Sequence, residues 1–133
     1  MPKKRLTLKV RLPPYRHPRL AWRHDLHDAV RQAATKGRIA YAPTDLLELT
    51  VVLYLAGDAL FVHDVDNRLK DIMDALQGRA GGKKGTLTLN PIIPNDRQVF
   101  RVTIEKMAPY RQSLGLGHLT VKVYRYPRKS GRA

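Results

Sequence analysis

The chain has 133 residues, is 43% hydrophobic, lacks cysteine, and carries Lys+Arg 25 against Asp+Glu 11, a formal net charge of +14. This length fits a single domain, 1–133, that buries a core without staples. The absence of cysteine excludes disulfides, Cys-ligated zinc and thiol nucleophiles. No apolar run is long enough to span a bilayer, and MPKKRLTLKVRLPP has the charge of a signal peptide without its apolar core, so a soluble, cytoplasmic protein is expected.

LTLKVRL (6–12) alternates apolar and basic residues as a half-buried strand does, and Pro13-Pro14 stops it. HDLHDAVRQAATKG (24–37) predicts a helix with Asp25 as cap and Gly37 as stop. DLLELTVVLYL (45–55) predicts a central strand buried on both faces. Asp66-Asn67 opens a second helix running to about Gln77, in which Leu69, Ile72, Met73 and Leu76 form a buried stripe. GRAGGKKGTLTLNPIIPN (78–95) reads as a long loop with a short strand at TLTL. RQVFRVTIEKM (97–107) alternates, with Phe100, Val102 and Ile104 on one face, and LTVKVYRY (119–126) is the last strand. The basic tail PRKSGRA (127–133) is expected to be mobile. The order β-α-β-α-β-β implies an α/β or α+β domain, a single mixed sheet of about four strands with helices packed on it.

The charge is unevenly placed. Eight basic residues and no acid precede Asp25, and seven basic residues and no acid follow Glu105, whereas the middle nets −1. Two basic flanks around a balanced centre suggest a polyanion held by the ends and processed by the middle, and nucleic acid is the obvious polyanion. A merely soluble basic protein, or one that binds anionic membrane, is the plainer alternative.

Against that background, five of the 11 acids fall in one segment: Asp58, Asp64, Asp66, Asp71 and Asp74. Asp64 and Asp66 flank Val65 where a strand leads into a helix, so in an extended stretch both carboxylates face one point. Lys70 follows Asp66 by one helical turn. Two close carboxylates repel, and a hard divalent cation removes the conflict; Mg²⁺ is typically held by one or two carboxylates plus substrate phosphate. Such an ion polarises a phosphoryl oxygen and activates water, and a nearby lysine stabilises developing charge. The plainer reading makes Asp66 an N-cap and Asp66/Lys70 an ordinary i,i+4 pair. Asp71 faces away and Asp58 sits in a Gly-Asp turn, so both read as structural, and Asp74 suits capping or a contact with the next element.

The larger string DVDNRLKDIMDAL, followed by NDRQVFRVTIEKM at 95–107, resembles the RusA family of Holliday-junction resolvases. Residues 46–107 carry the resemblance closely, and the opening strand ending in Leu12-Pro13-Pro14 is similar to that family's N-terminus. The resemblance implies that Asp64, Asp66 and Asp96 are metal-binding carboxylates and Lys70 the catalytic lysine. It further implies a RusA-like fold, Mg²⁺ as cofactor with Mn²⁺ able to substitute, a homodimer, and paired symmetric nicks on four-way DNA. The expected function is therefore a crossover junction endodeoxyribonuclease of DNA recombination and repair, nucleoid-associated when bound to DNA, with no membrane and no nucleotide cofactor.

The segment between Leu76 and Asp96 is longer than that family's by roughly ten residues, and its GGKKG makes Lys83 and Lys84 candidate phosphate contacts. Tyr15 and Arg16, in the Pro-rich segment after the first strand, are further DNA-binding candidates. His24, His27 and Asp28 have a spacing that could bind a transition metal, although surface residues are the commoner use of such a pattern. Two rival functions stand: a nuclease for other branched DNA, and a non-catalytic basic nucleic-acid-binding protein.

Overall fold

The computed structural model describes residues 6–55, 57–81, 87–108 and 117–124. Lys83, Lys84 and the tail 127–133 lie outside the described residues. Strand β1 (Leu8–Leu12) is followed by helix α1 (Arg19–Gly37), strand β2 (Leu47–Tyr54), a one-turn helix α2 (Ala59–Val62) and helix α3 (Val65–Leu76). A short β3 (Arg79–Gly81) pairs with β4 (Leu87–Thr88), and a 3₁₀ turn (Asp96–Gln98) leads into β5 (Val99–Met107) before β6 (Gly117–Val123). The four long strands form one mixed sheet in the order β1-β6-β2-β5, in which β2 and β5 are parallel and the other pairs antiparallel. The architecture is α+β. Among the described residues no helix is long and apolar enough to cross a membrane.

Helix α1 begins five residues before the predicted start. Pro18 caps it, and Asp25 lies inside, its carboxylate taken by Arg16 at 2.6 and 3.0 Å. Proline suits a helix start because it has no N–H to leave unpaired and its φ is already set. Trp22, Leu26, Val30 and Ala34 recur every fourth residue and are all buried. Trp22 is anchored further by its indole N–H donating to Pro13 O at 3.0 Å. The left-handed residue at the other end is Arg38 (φ 55) rather than Gly37, and its N–H returns to the last turn of α1.

β2 is central in its pairing, as predicted, but it is buried on one face only. Leu47, Leu49, Val51 and Leu53 are fully buried, whereas Glu48, Thr50, Val52 and Tyr54 are half-buried. The core of the molecule is this single face of the sheet, with Leu8 and Leu12 of β1 and Leu119 and Val121 of β6, closed by Trp22, Leu26 and Val30 of α1 and Ile72, Ala75 and Leu76 of α3. Val102 and Ile104 pair with Leu49 and Val51 on that face, but β5 is the edge strand and Val102 stays exposed. A register shift leaves Phe100 as the extra residue between Val99 and Arg101, so its ring meets Tyr124 instead of joining Val102.

Gly117 opens β6 at φ 149, and a Cβ there would stand 1.8 Å from Val52 O. Gly117→Ala is therefore expected to cost more than about 2 kcal/mol, through backbone strain and a displaced β2–β6 ladder. Urea unfolding of the variant should show a lowered midpoint with an unchanged slope.

Candidate functional site

The α2 turn carries the chain from the end of β2 to the N-terminus of α3. Lys106, near the end of β5, fixes this turn by donating its ammonium to Leu60 O and to His63 O. The strand alternation puts Lys106 on the face of Val102 and Ile104, and a cation on that apolar face is the one sequence signal of this clamp.

Asp64 occupies the cap position of α3 in extended backbone (φ −83, ψ 137), and Asp66 lies in the first helical turn. Their proximity thus arises from the start of the helix and not from a strand pleat. Asn67 ties the two together: its side-chain amide donates to Asp64 Oδ2 at 3.1 Å, and its backbone N–H donates to Asp66 Oδ1 at 3.1 Å. Both carboxylates are exposed, at a helix end whose partial positive charge favours anions. Asp64 Oδ1 and Asp66 Oδ2 accept no hydrogen bond among the described residues. Two neighbouring carboxylates, each with an oxygen to spare, suit a hard cation that completes its shell with water and phosphate.

Lys70 is one turn along, but its ammonium lies on Asp74 Oδ2 at 3.2 Å rather than on Asp66, with the lysine side chain 64% exposed. Asp74 also receives Arg23 at 3.0 Å. Asp71 does not face solvent: it is 0% exposed, between α1 and α3, with Arg19 and Arg23 on Oδ1 at 3.0 and 2.8 Å and Arg68 near Oδ2 at 3.5 Å. So two of the five clustered acids answer the arginines of α1 inside the protein. Arg19 and Arg23, four apart on one helix, face Asp71 and Asp74, three apart on another; that complementarity is the signal a reading of α3 alone passes over.

Asp96 is exposed at the start of the 3₁₀ turn, beside Met73, Gln77 and Val99. β5 pairs beside β2 and runs parallel to it, so the residue preceding β5 lies at the beginning of β2 while Asp64 follows its end. Helix α3 runs back between those ends, and the rise from Asp66 to the α3 residues beside Asp96 is about 10 Å to Met73 and about 16 Å to Gln77. Within one chain the structure brings together Asp64, Asp66 and Asn67, and does not bring Asp96 to them. Among the described residues no three His, Asp or Glu side chains are grouped to hold a metal ion.

Gln98 explains the Gln of the NDRQV segment. Buried at 4% exposure, it donates to Ala42 O (2.9 Å) and Asp45 O (2.8 Å) and accepts from Asn95 N–H (2.9 Å). Asn95 in turn accepts from Arg97 N–H, completing a capping box that fixes the turn bearing Asp96.

The remaining candidates are already engaged. Tyr15 packs against Trp22 and His63, with the Arg68 guanidinium 4.4 Å over its ring. His63, next to Asp64, is pushed below its ordinary pKa by burial and then by Arg68, Lys106 and His17. Its Nδ1 lies 3.4 Å from Arg68 Nη1, which can only donate, so Nδ1 accepts and Nε2 carries the proton. His24 pairs with Asp28 at 3.3 Å on the surface, whereas His27 is buried on Asn90 O at 2.8 Å, so the three form no common site.

Arg16 holds the Asp25 carboxyl below its ordinary value of 3.8, chiefly through the hydrogen bond and then through charge. A depressed carboxyl stabilises the fold above its unfolded-state pKa, and that contribution is lost as pH falls through the lowered folded-state value. The melting temperature of Arg16→Ala should therefore lie slightly below that of the unsubstituted protein at neutral pH, and the gap should close well below pH 3.8.

Compared with models of protein families and with curated proteins, the sequence matches none.

Proposed function

We propose that this protein is an Mg²⁺-dependent, structure-selective endodeoxyribonuclease that cuts four-way DNA junctions. The observation that carries the reading is the Asp64/Asp66 pair, exposed and held together by Asn67 at a helix N-terminus in a chain of net charge +14. The resemblance of residues 46–107 to the RusA family points the same way.

A divalent ion, when bound, supplies polarisation of the phosphoryl oxygen and a water of lowered pKa. The chain's own residues set the geometry. Asp64 and Asp66 offer the two oxygens, and Asn67 fixes the directions in which those oxygens point. Lys70, whose side chain is 64% exposed, reaches a phosphate by leaving Asp74. Asp74 does not lose its partner entirely, because Arg23 remains on it. A homodimer would present one such pair to each of two opposed strands, which matches the symmetry of the substrate.

The reading is tested on a panel of labelled DNAs with Mg²⁺ or with EDTA. Cutting of an immobile four-way junction well above that of a linear duplex, only with Mg²⁺, is the expected result. Preference for a flap or fork would favour the other branched-DNA reading, and tight binding without cutting would favour a non-catalytic binder.

A further inference from the structure

The face of the sheet opposite the core has no helix over it among the described residues, and the strand register fixes what it displays. One row crosses the sheet as Thr103, Thr50, Thr120 and Lys9. The next, toward the start of β2, reads Arg101, Glu48, Lys122; on the other side Val52 and His118 lie between Glu105 and Arg11. The basic side chains Lys9, Arg11, Arg101 and Lys122 are exposed, and among the described residues none of them makes an ion pair. They outnumber the two acids of the face.

Rings sit at both ends of this surface. Tyr54 meets His118 edge-on at 5.4 Å, and Phe100 meets Tyr124 at 5.8 Å with Phe100 49% exposed. The run from Leu47 to Tyr54 spans about 23 Å at strand rise. Cations, hydroxyls and aromatic rings together on an open sheet face are what a single strand uses: phosphates take the cations, and splayed bases stack on the rings. A duplex would ask instead for a helix or ribbon that enters a groove. The origin of the surface is also plain. The two basic flanks of the sequence pair with each other as β1 and β6, so their outward-facing charges share one side.

We propose that this open sheet face is a binding platform for single-stranded nucleic acid, holding an unpaired segment next to a branch point. The proposal rests on the nucleic-acid reading above, but it does not require cleavage.

The test is fluorescence anisotropy with a labelled oligothymidylate and a labelled duplex in EDTA, across a salt series. The triple variant Lys9→Gln/Arg11→Gln/Lys122→Gln is expected to bind the single strand at least tenfold more weakly, with a salt slope smaller by about 2. Tyr54→Leu is expected to weaken binding at least about fivefold with the slope unchanged, since stacking releases no counterions. Arg31→Gln/Lys36→Gln, exposed on α1, should change little, and circular dichroism checks that each variant is folded. No single-strand binding by the unsubstituted protein, equal binding by the triple variant, or a loss confined to duplex would each overturn the proposal. So would light scattering showing that the triple variant only disrupts a dimer and leaves binding intact. If these variants lose single-strand binding while junctions are never cut, the platform stands and the nuclease reading falls; cutting with no effect of the sheet variants gives the reverse.

Discussion

Asp71→Ala is expected to be the most damaging single substitution in α3, although Asp71 touches no candidate ligand. The carboxylate is 0% exposed and sits among three guanidiniums, two of which, Arg23 and Arg68, have side chains only 12% and 7% exposed. Removing it leaves buried positive charge facing positive charge, a situation that costs about 3–5 kcal/mol. For a domain of this size that is a fall in melting temperature on the order of 15 °C. The network has little slack to absorb the loss, because Arg19 Nε, Arg68 Nε and Asp71 Oδ2 already lack hydrogen-bond partners. Asp28→Ala, which removes only the exposed pair with His24, should stay within about 0.5 kcal/mol. Calorimetry on the two variants makes the comparison. A shift for Asp71→Ala no larger than that for Asp28→Ala would mean that α1 and α3 are not joined by this cluster.

Asp66→Asn should leave the fold intact and remove the chemistry. Asparagine keeps the size of the side chain and the carbonyl that accepts from Asn67 N–H, so α3 has no reason to shift. What disappears is the anionic oxygen that would hold the ion. Junction cutting is expected to drop by at least about a hundredfold, while binding in EDTA stays equal or tightens, since one negative charge near phosphate is gone. Asp64→Asn should behave alike. Asp96→Asn is the informative contrast. Within one chain Asp96 lies toward the far end of α3, so a loss of cutting as large as that of Asp66→Asn, with the melting temperature unchanged, would favour Asp96 reaching a site from a second copy.

Helix α3 was legible because Leu69, Ile72, Met73 and Leu76 repeat at helical spacing whatever lies around them. β2 was legible as central because its run of β-formers has no charge between Glu48 and Asp58. That it is covered on one face only was not, since Thr50, Val52 and Tyr54 suit a buried and a half-exposed sheet equally. The start of α1 was missed because Pro18 begins a helix without a polar cap, and the more evident cap, Asp25, is committed to Arg16. The roles of Asp71 and Asp74 depend on Arg19 and Arg23, about fifty residues away along the chain, and become visible only when α1 and α3 lie side by side. Asp96 is grouped with the other acids by the family resemblance; the parallel direction in which β5 pairs with β2, which no residue of either strand announces, carries it toward the opposite end of α3.

The claim on which the rest depends is that Asp64 and Asp66 together hold a divalent cation. Fe²⁺ substituted for Mg²⁺, with ascorbate and peroxide, generates radicals that cut the polypeptide beside the bound ion, and mass spectrometry locates the cuts. Scission centred on residues 63–67, suppressed by excess Mg²⁺ and absent from the Asp64→Asn/Asp66→Asn protein, is the expected result. Scission elsewhere, or a pattern that the double substitution leaves unchanged, would contradict it.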